Sequence, residues 1–170
     1  FSKGIFEIKD AKSIPNIVQK AFYISTSDRP GPVIISLPED ILEQYAKYKS
    51  IKALKHSFTK IPTSKITNLL SKIEKSKKPL IIAGGGDWDK NGAKDLEHFA
   101  NANKIPYAVS FRRQSIVNNN NDYYIGDLST SVDPKLINSV KESDLILVLG
   151  ARLGEMTTGG YTTIKPNKKS

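Results

Sequence analysis

The sequence predicts an α/β fold with a doubly wound, mostly parallel sheet. An apolar run at residues 79–83 leads into a glycine triplet, Gly84 to Gly86, and a helical pattern and a second apolar run at residues 105–109 follow. This order is typical of a β-α-β unit with a glycine turn after its first strand. A continuous apolar run at residues 145–149 indicates a central parallel strand covered on both faces. Strands that alternate with helices in this way favour an α/β domain.

The first block of the chain, residues 1–45, carries two short strands around a helix. Residues 5–8 predict a strand, and apolar residues at helical spacing over residues 14–24 predict a helix. A rigid turn then leads into residues 33–37, for which we expect a short buried strand that Pro38 stops.

Residues 46–63 show no clear period and predict a linker. After it, a helix is expected from Ser64, as the N-cap, to residue 76. The helix after the glycine triplet buries a stripe of four residues, Ala93, Leu96, Phe99 and Ala100. Asp133 and Pro134 have the residue types of an N-cap and a first helical residue, so they predict another helix that ends near residue 141.

Three segments follow predicted strands at the carboxyl edge of the sheet, where ligands of such folds bind. They are Gly84 to Gly86, residues 110–113 and residues 150–155, and we expect them to converge on one crevice. A dinucleotide fingerprint requires a third glycine and a later acidic residue, and neither is present. Arg112 and Arg113 favour a phosphate or an adenine face, or else ion pairs with a neighbouring carboxylate or subunit.

Other chemistry is sparse in this sequence. His56 and His98 have no carboxylate or second histidine at ligand spacing, so no catalytic and no metal residue is predicted. Taken from the residues alone, Gly126 and Asp127 are interpreted as a turn, because the glycine and asparagine of a diphosphate–metal motif do not follow them.

The composition of the chain limits the classes of binding partner that are expected. The net charge of +9 comes from scattered lysines, with only four arginines, which indicates a solvated surface and no nucleic acid partner. No apolar run approaches the ~20 residues that cross a bilayer, so no membrane partner is expected. The absence of cysteine excludes disulfides and is compatible with a cytoplasmic protein. The start without a methionine or a signal-peptide pattern suggests a piece of a longer chain.

Four motifs in order resemble the thiamine diphosphate-dependent decarboxylase and carboligase family, which includes the acetolactate synthases. They are RPGPV at residues 29–33, LPED at 37–40, KPLIIAGGG at 78–86 and SDLILVLGAR at 143–152. The resemblance implies that residues 1–45 are the end of a pyrimidine-binding domain. It implies that residues 64–170 are a Rossmann-like central domain that lacks its last strands, joined to the first part by the 46–63 linker.

The resemblance also implies a cofactor surface on the central domain. In the flavin-containing members this domain holds FAD, in some acyl-CoA members it holds ADP, and in others it is a scaffold. The positions carried over as cofactor-binding are Gly84, Gly85, Gly86, Ser110, Phe111, Arg112, residues 126–129 with Gly126 and Asp127, and Gly150, Ala151 and Arg152. Two departures from the flavin-containing pattern weaken the expectation that this domain binds FAD. Residues 154–156 lack the family's arginine, and residues 126–129 lack its Met-His pair.

For the longer parent, the resemblance implies thiamine diphosphate, Mg²⁺, a 2-oxo acid substrate and a homodimer or homotetramer. The family's catalytic glutamate and its Gly-Asp-Gly metal motif are expected outside residues 1–170, so this part alone is expected to be inactive. Two alternatives stay open: a stand-alone module that binds an adenine nucleotide or CoA, and a purely structural oligomerisation domain.

Overall fold

In the computed structural model, residues 1–55, 60–86 and 88–164 are described. The chain divides into two compact units, Phe1–Lys60 and Ile61–Ser170. The boundary falls within residues 46–63, where the sequence predicts a linker. The assignment of these parts to pyrimidine-binding and central domains stays a prediction.

The first unit contains a two-stranded parallel sheet, with β1 at Ile5–Glu7 and β2 at Ile34–Ser36. Between them lie a 3-10 helix at Ala11–Ser13 and α1 at Ile14–Thr26, and after them comes the one-turn helix α2 at Glu39–Leu42. Ile5 pairs with Ile34. The two strands and the helix predicted in this block are confirmed.

The burial predicted for β2 is wrong. The side chain of Ile34 is 52% exposed and that of Ile35 is 36% exposed. The side chains of an apolar strand are buried only where other elements cover both faces of its sheet. In this two-stranded sheet the side chains of Ile34 and Ile35 are left exposed. Within residues 1–55 the buried apolar side chains are Ile8, Ala21 and Ile41.

The second unit is a four-stranded parallel sheet flanked by helices. Its elements are α3 at Thr63–Lys75, β3 at Pro79–Ala83, α4 at Lys90–Asn103, β4 at Tyr107–Ser110, a 3-10 helix at Gln114–Ile116, β5 at Tyr124–Leu128, α5 at Pro134–Glu142 and β6 at Leu145–Leu149. The strand order is β5-β4-β3-β6, and every pair is parallel. The predicted α/β fold is therefore confirmed.

Alternate residues of the strands face two separate cores. The first core cluster contains Ile81, Ala83, Leu96, Ala100, Ile105, Tyr107, Val109 and Val117, and it lies on the α4 side. The second core cluster contains Leu80, Ile82, Ala108, Leu128, Leu136 and Val140, and it lies on the α5 side. The central strand β3 thus buries both faces, which explains its uninterrupted apolar sequence.

The predicted central position of the 145–149 strand is wrong. Strand β6 is at the edge of the sheet, next to β3, and all five of its side chains are only partly buried. Leu147 and Leu149 pack against the first core cluster, whereas Ile146 packs against the second. An apolar run therefore predicts that both faces of a strand are covered. It does not predict whether both edges of the strand are hydrogen-bonded to neighbouring strands.

The N-cap predicted at Ser64 is wrong, because α3 begins at Thr63 after Pro62. Ile73 packs against the first core cluster, whereas Ile66 and Leu70 are each 44% exposed. At the other predicted start, Asp133 does cap its helix: its carboxylate accepts a hydrogen bond from the Lys135 amide at 2.7 Å.

The turn predicted at Gly126 and Asp127 is wrong as well, because both residues lie within β5. Tyr107 pairs with Tyr124 and Val109 pairs with Asp127, so β5 holds one extra residue at this point. Gly126 has a φ of +119°, a conformation that favours glycine. A β-bulge accounts for this glycine, since an extra residue in a strand bends the backbone locally.

Within the described residues, no helix has both the length and the apolar character that crossing a membrane demands.

Candidate functional site

The carboxyl ends of β3, β4 and β6 meet in a tight backbone junction. A Cβ atom added to Gly84, which follows β3, would lie 2.8 Å from the Ala151 Cβ after β6 and far inside contact distance of Ser110 Oγ at the end of β4. The Gly84 amide also donates to the Leu149 carbonyl at 2.9 Å. The predicted convergence of the three segments is confirmed for these residues.

The next pair of glycines brings two main chains together. A Cβ on Gly150 would lie 2.5 Å from the Gly84 carbonyl oxygen, and a Cβ on Gly85 would overlap the Gly150 carbonyl oxygen. Gly85 and Gly150 have φ values of +86° and +66°. Backbone packing and positive φ therefore require glycine at these two positions, with or without a ligand.

Gly86 differs from its two neighbours. It is exposed, and no atom lies within 4 Å of a Cβ built on it. It borders an open cavity of about 380 Å³, whose lining also includes Trp88, Lys90, Arg113 and Ser115. Two cationic side chains thus border the cavity that lies outside the glycine junction.

The N-terminus of α4 is already capped. The Asp89 carboxylate accepts a hydrogen bond from the Gly92 amide at 2.7 Å. A bound anion at a helix N-terminus uses these same first-turn N–H groups and the positive end of the helix dipole. The Asp89 carboxylate thus already takes up the Gly92 N–H and places a negative charge at this helix end, which disfavours a diphosphate there.

The topological switch point of the sheet lies between β3 and β6. The chain leaves β3 for α4, on the side of the first core cluster. After β6, Leu153 and Ile164 pack against the second core cluster, on the opposite face. The loops after these adjacent strands therefore diverge, and the crevice between such loops is where ligands bind in open α/β sheets.

Trp88 lies in this crevice. Its indole Nε1–H donates to the Gly84 carbonyl oxygen at 2.6 Å, and a Cβ on Gly150 would lie 3.2 Å from that same Nε1. The ring also packs against the first core cluster. One side chain thus joins the ends of β3 and β6.

The turn after β4 presents an aromatic–cation pair. The Arg112 guanidinium carbon lies 4.9 Å from the centre of the Phe111 ring, which suits a cation–π contact. Arg112 has a φ of +59°, and the Arg113 amide donates to the Ser110 carbonyl at 3.1 Å. In residues 1–55, 60–86 and 88–164, the ion pair present joins Lys78 and Glu142, so neither arginine pairs with a described carboxylate.

The remaining predicted positions are Gly126 and Asp127 on β5 and Arg152 in the loop after β6. A Cβ on Gly126 would face Leu136 of α5 at 3.3 Å. The Asp127 carboxylate contacts the segment after β4, because Gln114 Nε2 donates a hydrogen bond to it at 3.0 Å. Arg152 is exposed in the loop after β6. The cofactor-binding assignment of all these residues stays a prediction.

The perturbed titratable groups do not belong to this crevice. Hydrogen bonds from the Ser76 hydroxyl and from the Lys77 and Lys78 amides lower the pKa of Asp144 to about 2. Asp144 stands before β6, at the amino end of the sheet. Burial, with Glu97 adding to it, raises the pKa of Tyr107 to about 12. Neither shift points to acid–base chemistry at the glycine junction.

Of the two histidines, His98 is exposed on α4 and His56 lies outside the described residues. The part of the chain that the structure describes contains no cluster of three or more His, Asp or Glu side chains with metal-binding geometry.

Sequence reasoning missed Trp88, Lys90 and Gln114. The signal for Trp88 was present, since the single tryptophan of the chain follows the glycine triplet almost directly. Lys90 and Gln114 carry no such signal, because exposed lysines and glutamines are common and only the packed structure shows which of them border a site.

Comparison with known proteins shows which family this geometry belongs to. The family described as "Thiamine pyrophosphate enzyme, central domain" matches residues 66–170, which is more than half of the chain. The chain belongs to the thiamine pyrophosphate enzyme family. The resemblance noted from the sequence motifs is confirmed.

Two relatives of this thiamine pyrophosphate enzyme chain illustrate the match. The acetolactate synthase large subunit of Buchnera aphidicola subsp. Schizaphis graminum is 33% identical over 97% of this chain and 30% of its own length. The acetolactate synthase isozyme 2 large subunit of Escherichia coli K12 is 26% identical over 98% of this chain and 30% of its own length. The chain therefore spans about 30% of the length of these relatives.

A solved structure supports the fold. The thiamine diphosphate-dependent 4-hydroxybenzoylformate decarboxylase of Rhodococcus jostii RHA1 superimposes with a TM-score of 0.73 at 21% identity, over 88% of this chain and 29% of that one. At this identity the likeness concerns the fold of the thiamine pyrophosphate enzymes, and it does not extend to a substrate.

Proposed function

We propose that this chain is part of a thiamine diphosphate-dependent enzyme that forms or cleaves carbon–carbon bonds next to a 2-oxo acid, as acetolactate synthases do. The observation that carries the proposal is the match of the second unit to the central domain of the family, together with relatives named acetolactate synthase over nearly the whole chain. Cytoplasmic location and a homodimeric or homotetrameric parent belong to the same proposal.

Within that enzyme, we assign the second unit the role of a scaffold. The close packing of Gly84, Gly85 and Gly150 supports this role, because these glycines serve contacts between main chains. The Trp88 indole also supports it, because its N–H edge fills space between the ends of β3 and β6 that a cofactor would otherwise use.

The chemistry of the coenzyme is assigned to other parts of the parent enzyme. Thiamine diphosphate with Mg²⁺ requires oxygen ligands for the metal, and the described residues contain no group of three or more His, Asp or Glu side chains that could hold one. Among the described residues of the candidate site, the Asp89 carboxylate is the helix cap that accepts from the Gly92 amide. We therefore derive no catalytic step from its residues.

Turnover measurements test this proposal. The 170-residue chain and the full-length parent are supplied with thiamine diphosphate, Mg²⁺ and pyruvate, and CO₂ release and acetolactate are measured. We expect turnover by the parent and none by the 170-residue chain. Decarboxylation by the shorter chain would contradict the roles proposed here, and a parent that is inactive on pyruvate and on a panel of further 2-oxo acids would contradict the enzyme class.

A second candidate is a module that binds an adenine nucleotide or CoA in the cavity outside the junction. The positions of Lys90 and Arg113 on that cavity favour it, because both side chains attract phosphate. A ligand that binds only the folded state raises the melting temperature. A colourless protein whose melting temperature rises with ADP or CoA would support this candidate, and no response would leave the scaffold role.

A further inference from the structure

Trp88 is held on several sides at the switch point. Its Nε1–H donates to the carbonyl oxygen of Gly84 at 2.6 Å, and it contacts Gly150 after β6. The far edge of the ring faces the first turn of α4, where a Cβ on Gly92 would lie 3.8 Å from the Trp88 Cε3 atom. These three glycines border the indole socket, which we define by Gly84, Gly92 and Gly150.

The socket satisfies both parts of the indole. The apolar body of the ring packs against the first core cluster, and its single polar group has a short hydrogen bond to the main chain. Trp88 is partly buried with its N–H paired, which is a stable arrangement because both the ring and the donor have contacts. A Cβ at position 150 would crowd the indole N–H edge at 3.2 Å, whereas one at position 92 would meet the ring at an ordinary contact distance of 3.8 Å.

A planar ligand needs the same space. In an open α/β sheet the crevice at the switch point receives the ligand, and here the N–H edge of the indole lies against Gly84 after β3 and Gly150 after β6. A flavin or an adenine ring that enters must first displace the indole and break its hydrogen bond to Gly84. An outer cavity beside Gly86, Lys90 and Arg113 stays open to a ligand.

We infer that Trp88 determines ligand specificity in this domain by occupying the switch-point crevice, so that no planar heterocycle enters between β3 and β6. This inference rests on the proposed function, because the crevice belongs to the unit that is proposed to act as a scaffold. The inference is tested by measuring ligand binding, whereas the proposed function is tested by measuring turnover. A failure of the inference is therefore distinguishable from a failure of the proposed function.

The experiment is an equilibrium titration of the protein with FAD, followed by flavin fluorescence anisotropy. We compare the unmodified protein with Trp88→Ala, which opens the crevice, and with Trp88→Phe, which keeps a ring but removes the N–H donor. Phe22→Ala removes an exposed aromatic ring from the other unit and is the matched control.

We expect weak binding by the unmodified protein, by Trp88→Phe and by Phe22→Ala, and binding at least about tenfold tighter by Trp88→Ala, because only that variant has no ring to displace. Equal affinities of the unmodified protein and Trp88→Ala, with or without measurable binding, would overturn the inference. So would a gain in Trp88→Phe as large as that in Trp88→Ala, because a ring would then not be the obstacle.

If circular dichroism shows that Trp88→Ala is unfolded, the unmodified protein provides the second test. Trp88 is the single tryptophan, so its fluorescence reports this position alone. A ring within the crevice resists quenching by acrylamide, and its emission is unchanged on addition of FAD. Quenching as fast as that of free tryptophan would overturn the inference.

Discussion

Alanine at Gly85 tests whether this glycine is required by the fold. Gly85 has a φ of +86°, and an added Cβ would overlap the carbonyl oxygen of Gly150. That oxygen belongs to the main chain, so it has no side-chain rotation by which to move away. Gly86, its direct neighbour, is the matched control, because a Cβ there meets no atom within 4 Å.

The expected cost has two parts. A residue with a Cβ in the left-handed region loses ~1–2 kcal/mol, and forcing an extra carbon into a packed position costs ~1–3 kcal/mol. Gly85→Ala should therefore lower the free energy of unfolding of the second unit by about 2–5 kcal/mol. Gly86→Ala should leave it unchanged or raise it by about 0.4–1 kcal/mol, because alanine restricts the unfolded chain.

Urea denaturation measures both variants. Tryptophan fluorescence follows the second unit, which contains Trp88, and far-ultraviolet circular dichroism checks that the slopes of the transitions are unchanged. The reasoning predicts a separation of at least about 2 kcal/mol between the two alanine variants. Equal stabilities would refute it, because the close approach of Gly85 to Gly150 would then not constrain the fold.

Two further predictions concern titratable groups away from the crevice. Asp144→Asn should destabilise the second unit at neutral pH, because the Asp144 carboxylate accepts hydrogen bonds from the Lys77 and Lys78 amides at 2.8 and 2.9 Å and from the Ser76 hydroxyl. The pKa of Asp144 falls from 3.8 to about 2 on folding, so its contribution is complete above pH 3.8 and is lost as the pH falls towards 2. Urea midpoints from neutral pH to pH 2 should fall more steeply for the unmodified protein than for Asp144→Asn, and parallel curves would contradict this. Tyr107→Phe should leave the free energy of unfolding unchanged or raise it by about 1 kcal/mol, because the buried Tyr107 hydroxyl has no partner among the described residues. A loss of stability in that variant, measured by urea denaturation at neutral pH, would show that the hydroxyl has a bond that must be kept.

Several elements were predictable because their signals are local. The cap at Asp133 and the following Pro134 locate the start of α5, since capping depends on a few adjacent residues. The apolar run of β3 and the stripe of α4 predict a buried strand and the helix that covers it. In α4 the prediction holds residue by residue for Leu96 and Ala100, which are buried.

The errors share one cause, which is that neighbours distant in sequence decide them. Strand β6 has the composition of a central strand, but its outer edge has no partner in the described sheet. The apolar sequence of β2 suggested burial, but its sheet has only two strands. The residues around Gly126 are typical of a turn. In the structure, Gly126 lies in β5 at the point where this strand holds one extra residue against β4, a β-bulge.

By itself, the sequence determined the α/β class, most of the helices and strands, and the family, because periodicity, caps and motif order are properties of short segments. Only the tertiary structure decided what the glycines are for. Glycine is required wherever the backbone turns to positive φ or another atom comes close, and the sequence does not say whether that atom belongs to a ligand or to the protein. At Gly84, Gly85 and Gly150 the neighbours are the main chain, Ser110, Ala151 and the Trp88 indole. They became neighbours only when β3, β4 and β6 aligned in parallel and brought their carboxyl ends to one edge.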